Sequence, residues 1–324
     1  MLSRVAERLY WMARYIERAE NIARMTEAFH LLALDMPRTE TLSWRGLVAV
    51  SGLDAIFEEH YQREDERNCV KFLLADTYNP GSILSSLRAA RENVRTTRDL
   101  VPTAAWEIVN ELYIFARDNV DAAIGKRGRF EFLTSIVGRC QMLTGMLAGG
   151  MSHDAAYDFI RLGRNLERTD MATRQIDVGA IKLLSRKDTP EPYEGLLWTS
   201  VLRSQSGFQM YRQHVRRRIT GPDVVRFLLQ DLAFPRAVAH AINQSQIAIS
   251  NLPRNATPLR YAMQARRHAL DADVDKLIAS DGLHDFMDQL QLDIAQLHGA
   301  IAGCWFPQAF DDKPTTVENV TPTA

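Results

Sequence analysis

Apolar residues recur three and four positions apart through nearly every long segment, from AERLYWMARYIERAENIAR at Ala6 to GLHDFMDQLQLDIAQLHGAIAGC at Gly282. That is the period of an amphipathic helix, and runs of alternating β-branched residues between Gly or Asn turns are missing, so the pattern predicts an all-α fold. Turn-forming clusters divide the helical stretches at Pro37 to Thr41, Asn79-Pro80-Gly81, Val101-Pro102-Thr103, Gly149 to Ser152, Lys187 to Pro192, Gly221-Pro222 and Pro253 to Pro258. Ser43, Ser82, Thr103 and Ser152 stand where N-caps are expected. The segment 306–324, polar and rich in Pro and Thr, is expected to be a flexible tail after a helical domain covering 1–305.

The hydrophobic pattern also repeats in detail. RYIERAENIAR from Arg14 is matched by RNLERTDMATR from Arg164, and VKFLLADTYNPGSI from Val70 by VRFLLQDLAFPRAV from Val225. GRFEFLTSIVGRCQMLTGMLAGG from Gly128 is matched by the segment from Gly282. Three pairs in the same order predict two copies of a multi-helix unit, about 1–150 and about 151–305, packed around a pseudo-two-fold axis into one bundle.

On a helix of ~3.6 residues per turn, Arg14, Glu17, Glu20, Asn21 and Arg24 share one face, opposite Leu9, Met12, Ile16, Ala19 and Ala23. Arg164, Glu167, Asp170 and Arg174 share a face in the second segment. Each face is either a solvated surface with i,i+4 acid-before-base pairs or half of a buried ionic centre, in which Glu17 pairs with Arg168 or Arg164 and Glu167 with Arg18 or Arg14. Glu17, Glu20, Glu167 and Asp170 are the candidate catalytic carboxylates. Converging on Mg²⁺ or Mn²⁺ would be a further use for them, but the ExxH spacing of di-iron bundles is absent and arginines adjoin every acid, so no metal or cofactor is expected.

The two halves differ most after the VKFLL block. Arg88, Arg91, Arg95 and Arg98 fall within an arc of about 80° on one predicted helix, where the second half has Asn243, Gln246 and Ser250. Such a stripe either faces an anion, which guanidinium groups bind bidentately, or pairs with acids inside the protein. Together with Arg14 and Arg164 these are the candidate anion- or substrate-binding residues. RQHVRRRITGP from Arg212 reads as a solvated helix end, with an anionic partner or ligand as the alternative.

Composition narrows the function classes. With 39 basic and 40 acidic residues in 324, there is no overall field to attract nucleic acid or an anionic membrane, and neither basic run is interleaved with aromatics. Three scattered cysteines form no metal or disulfide pattern, which favours a reducing, cytoplasmic setting. No Walker loop, nucleophile elbow, dinucleotide-binding glycine motif or HExxH occurs.

Taken together, AERLYWMARYIERAENIAR, NPGSILSSLRAARENVRTTRD, FIRLGRNLERTD and FLLQDLAFPRAV resemble the bacterial alpha-E family, over almost the whole chain except the tail. The resemblance implies an all-helical protein without a firmly assigned activity. It also implies partners: an ATP-grasp ligase of the circularly permuted type and often a transglutaminase-like protein, in a system forming or processing amide bonds on peptides or proteins. Two functions follow as expectations. One is a non-catalytic partner that binds an acidic substrate or the ligase. The other is an enzyme using the ER-segment carboxylates for acid/base or metal-assisted peptide chemistry.

Overall fold

Asp65, Ser82, Asp154, Thr220 and Asp273 each turn a side-chain oxygen onto a backbone amide two or three residues ahead, and each begins a helix. The computed structural model describes residues 2–37, 42–184 and 191–307; parts of the clusters expected to form turns at Pro37 to Thr41 and Lys187 to Pro192, and the expected tail from 308, lie outside the described residues. The helices are α1 (Ser3–Asp35), α2 (Arg45–Ser51), α3 (Asp54–His60), α4 (Glu66–Leu74), α5 (Ile83–Arg95), α6 (Thr103–Ile124) and α7 (Lys126–Gly150). They continue as α8 (Ala155–Leu184), α9 (Glu191–Ser204), α10 (Phe208–His214), α11 (Gly221–Gln230), α12 (Val238–Ser250), α13 (Ala256–Leu270), α14 (Val274–Ala279) and α15 (Leu283–Trp305). No strand occurs among the described residues, so the all-α expectation holds.

Of the expected caps, Ser82 accepts from Ser85 N at 3.1 Å as the sequence suggests. Ser152 gives way to Asp154, whose carboxylate reaches the amides of Ala156 and Tyr157 at 2.9 and 3.3 Å; Ser152 is too far upstream to do so. Thr103 is the first residue of α6 rather than its cap, and Ser43 is one residue outside the Trp44 cap position of α2.

Helices α1 and α8 lie against each other at the centre. On one side α5 packs on α1 and α6, α6 on α7, and α7 back on α1; on the other α12 packs on α8 and α13, α13 on α15, and α15 back on α8. One apolar core joins all of these helices. Phe306, assigned to the tail by its sequence, is buried with its ring 5.1 Å from Tyr10. The contact that sets the distance between the central helices is Gly163. A Cβ there would overlap the Tyr10 carbonyl oxygen and lie 3.0 Å from its carbon, so only glycine lets α8 come this close to α1.

Candidate functional site

That close approach decides what happens to the charged faces. One turn beyond Tyr10 and Gly163 stand Arg14 and Glu167, and Arg14 Nε donates to Glu167 Oε2 at 2.6 Å. Arg18 donates to the same carboxylate at 2.5 Å and 3.1 Å, so Glu167 is held by two arginines of α1. In the reverse direction, Glu17 Oε1 lies 3.0 Å from Arg168 Nε and 2.9 Å from Arg236 Nη1. These two contacts are close enough for ionic pairing but misaligned for hydrogen bonding, which leaves Oε1 charge-compensated without a donor. Arg236 also reaches Glu20 at 2.6 Å and Asn21 at 2.7 Å, and Arg24 closes on Glu20 at 2.7 Å. Glu17, Glu20 and Glu167 are each 1 % exposed or less, so the ER faces form a buried ionic centre and not a solvated surface.

The arginines dominate the electrostatics. Burial alone would raise the Glu17 carboxyl, but Arg168 and Arg236 outweigh it and hold it at about 2. Glu167 is likewise held at about 2 by Arg18 and Arg14 against the effect of burial. Both groups are therefore ionised at any physiological pH, and neither is poised to exchange protons near neutrality. The unfolded chain takes up protons at these positions first, as pH falls below the ordinary 4.5. The stability they contribute is thus complete above 4.5 and lost as pH falls toward 2. Asp177, raised by burial, acts in the opposite sense, whereas Glu66, lowered by Lys126 and Arg129 against the effect of burial, acts in the same one. Urea unfolding at fixed pH is expected to show stability falling steadily from pH 4.5 to 2.5; a level profile over that range would contradict the pairing.

Above Glu167 the α1 surface opens into a cleft of about 570 Å³ between α1, α5 and α15. Arg14, Arg18, Arg88 and Glu92 line it, with Trp11, Tyr15 and His298. Trp11 and Tyr15 are stacked, ring centroids 5.4 Å apart, with the Arg14 guanidinium 5.1 Å from the Trp11 ring and that of Arg18 5.7 Å from Tyr15. His298 Nδ1 shares a 2.8 Å hydrogen bond with the Tyr10 hydroxyl. Burial, reinforced by Arg14, lowers His298 to about 4, so its ring is neutral at pH 7.

The structure separates the other sequence candidates. Asp170 lies 3.0 Å from Arg174 and 3.9 Å from Arg14. Arg164 is largely buried with no hydrogen bond to Nε, and burial and Arg168 lower its pKa. The arginine stripe does not persist, because α5 ends at Arg95 and Arg98 sits in a separate 3-10 turn, Arg98–Leu100. Arg88 alone faces the cleft. Arg91 turns to α6, donating to Asn110 at 2.7 Å over the rings of Trp106 and Tyr113, and Arg95 pairs with Glu92 at 2.9 Å on the surface. Around Asn79 to Ser85 two amides are taken by side chains: Asn79 Oδ1 accepts from Gly81 N at 2.7 Å and Ser82 Oγ accepts from Ser85 N.

None of the four ER carboxylates belongs to a metal-sized group. Among the described residues the group close enough is Asp177, His284 and Asp288, where His284 Nδ1 is 2.8 Å from Asp177. Sequence reasoning missed Arg236, Trp11, Tyr15 and His298. Arg236 left a signal: it stands where the matched block of the first half has Gly81, a charge with no counterpart. The others gave none, because α15 meets α1 only in the folded chain.

The family described as Alpha-E, a predicted alpha-helical domain with a conserved ER motif, matches residues 1–306. Uncharacterized proteins of Mycobacterium bovis and Mycobacterium tuberculosis are each 22% identical over 325 residues, covering 92% of this chain. The chain spans only 35% of the length of those relatives. No solved structure matches.

Proposed function

The chain belongs to the Alpha-E family, and from that premise we propose that it is a cytoplasmic, non-catalytic partner of an ATP-grasp amide ligase system acting on peptides or proteins. Its role is to hold an acidic substrate or partner segment. One observation carries the reading: the ER glutamates are spent on buried arginines, while arginine charge left over from that centre faces an aromatic cleft. Carboxylates held at about 2 are poor acids and bases, whereas pre-aligned guanidinium groups are good anion receptors. The greater length of the mycobacterial relatives is in keeping with a domain that works beside other parts. A transglutaminase-like protein is a second candidate partner.

We also read the chain as two copies of one unit. In support, helices of similar length recur in the same order in each half: α1 and α8, α4 and α11, α5 and α12, α7 and α15. The second half has α13 and α14 where the first has the single α6.

The test is reconstitution with an ATP-grasp ligase encoded beside the gene. The expected result is copurification and an ATP-dependent mass increase on a peptide only when both proteins are present. Turnover of a peptide by the isolated chain, abolished by Glu17→Gln in a folded variant, would instead favour the enzyme reading.

A further inference from the structure

Resting on the binding reading above, we infer that the cleft between α1, α5 and α15 is a peptide-carboxylate site. A carboxylate bridges Arg88 and the α1 arginines, and the neighbouring aromatic or apolar side chain of the peptide lies on Trp11 and Tyr15.

The charges around the cleft do not balance. Arg14 and Arg18 share the single negative charge of Glu167. Asp170 offsets part of the excess at 3.9 Å from Arg14, but is itself held by Arg174 at 3.0 Å. Across the cleft Arg88 is exposed, and Glu92, which also lines the cleft one turn further along α5, has its charge taken by Arg95 at 2.9 Å and Arg91 at 3.6 Å. One to two positive charges are thus left facing each other over a space of about 570 Å³, within the ~300–1,000 Å³ usual for small-ligand sites.

Carboxylate fits this site better than phosphate. Phosphate sites at helix starts commonly draw on open backbone amides, and two of those around the start of α5, Gly81 N and Ser85 N, are already bonded to Asn79 and Ser82. What remains is side-chain guanidinium, which grips a carboxylate bidentately, beside a flat aromatic wall that suits a side chain carried next to it. Glu167 acts beneath the site as a positioning residue. By fixing both Nε atoms it holds the Arg14 and Arg18 side chains in place before a ligand arrives, which lowers the ordering cost of binding.

Calorimetric titration of the full chain tests this with four probes: acetyl-Gln-Phe, whose only acid is its C-terminus; acetyl-Glu-Phe-amide, whose only acid is a side chain; acetyl-Gln-Phe-amide, with none; and inorganic phosphate. At least one acidic peptide is expected to bind 10-fold or more tightly than both the neutral peptide and phosphate, and the stronger of the two identifies the source of the carboxylate. Arg88→Ala is expected to remove that advantage and Arg88→Lys to restore part of it, with thermal unfolding unchanged since Arg88 is exposed. Equal binding of the neutral peptide, tighter binding of phosphate, no binding of any probe, or an Arg88→Ala titration like that of the parent would each overturn the inference. Peptide binding by a chain on which the ligase does not depend would leave the site standing and remove the partner role. A ligase complex whose chain binds peptide equally well after Arg88→Ala would do the reverse.

Discussion

Glu167→Ala is expected to destabilise the fold by ~3–5 kcal/mol, the usual effect of removing one member of a buried ion pair and leaving the other uncompensated. Two cations are stranded here, since Arg14 and Arg18 both close on this carboxylate and Arg14 is itself only 7 % exposed. Against a typical total of ~5–15 kcal/mol, that is a large share of the stability. Urea unfolding would measure it, with Glu92→Gln as a surface comparison expected within ~0.5 kcal/mol of the parent. The triple change Arg14→Met, Glu167→Leu, Arg18→Met should recover most of the loss, because well-packed apolar side chains often replace a buried ionic group without penalty. It should not recover peptide binding. If Glu167→Ala unfolds at the parent's urea concentration, the centre is far better hydrated than its burial indicates.

Gly163→Leu is the second large effect, expected at ~3 kcal/mol or more. Overpacked cores typically lose ~1–3 kcal/mol when neighbouring side chains can move aside. Here the obstruction is the backbone of Tyr10, which no rotamer change can clear. The helices must separate, and the 2.6 Å bond between Arg14 and Glu167, one turn away, must stretch with them. Gly163→Ala combined with Glu167→Ala should therefore cost less than the two changes added, as expected for sites in one network. Gly145→Ala is the contrast: nothing lies within 4 Å of a Cβ placed there, and exchanging glycine for alanine inside α7 should stabilise by ~0.5–1 kcal/mol. An equal loss from Gly163→Leu and a leucine at Gly145 would sink the close-approach account.

The helices were legible because a three-and-four apolar spacing needs no knowledge of the partner surface. The partners of the ER glutamates were legible in kind, since Arg14, Arg18 and Arg168 stand within four residues of Glu17 and Glu167 in the two matched segments. What periodicity could not provide is a choice between a solvated charged face and a buried one. Both read as a polar stripe, and burial depends on Gly163, a single residue whose meaning comes from the backbone it approaches. The four-arginine stripe failed for a local reason. It assumed a helix through Arg98, whereas α5 stops at Arg95 and the chain turns before α6. The cleft was legible only in part: Arg14 and Arg88 stand among the candidate anion-binding residues, whereas its aromatic wall and His298 join them only because α1, α5 and α15, far apart in the sequence, meet in the fold.

The pairing of Glu167 with Arg14 and Arg18 joins positions 153 and 149 residues apart, which makes it an event in time as well as a contact. At a synthesis rate of ~5–20 residues per second, α1 leaves the ribosome on the order of 10–30 s before α8 can follow. Over that interval its arginines and glutamates remain hydrated while first α5 and then α7 emerge to cover its apolar stripe. Docking of α8 then strips water from Glu167, Arg14 and Arg18 together, a slow step because it is non-local, and Arg236, 216 residues from Glu20, can join the centre only later. A nascent chain halted before Glu167 would carry a nearly complete first group of helices with an open ionic seam, the form most exposed to chaperones and proteases.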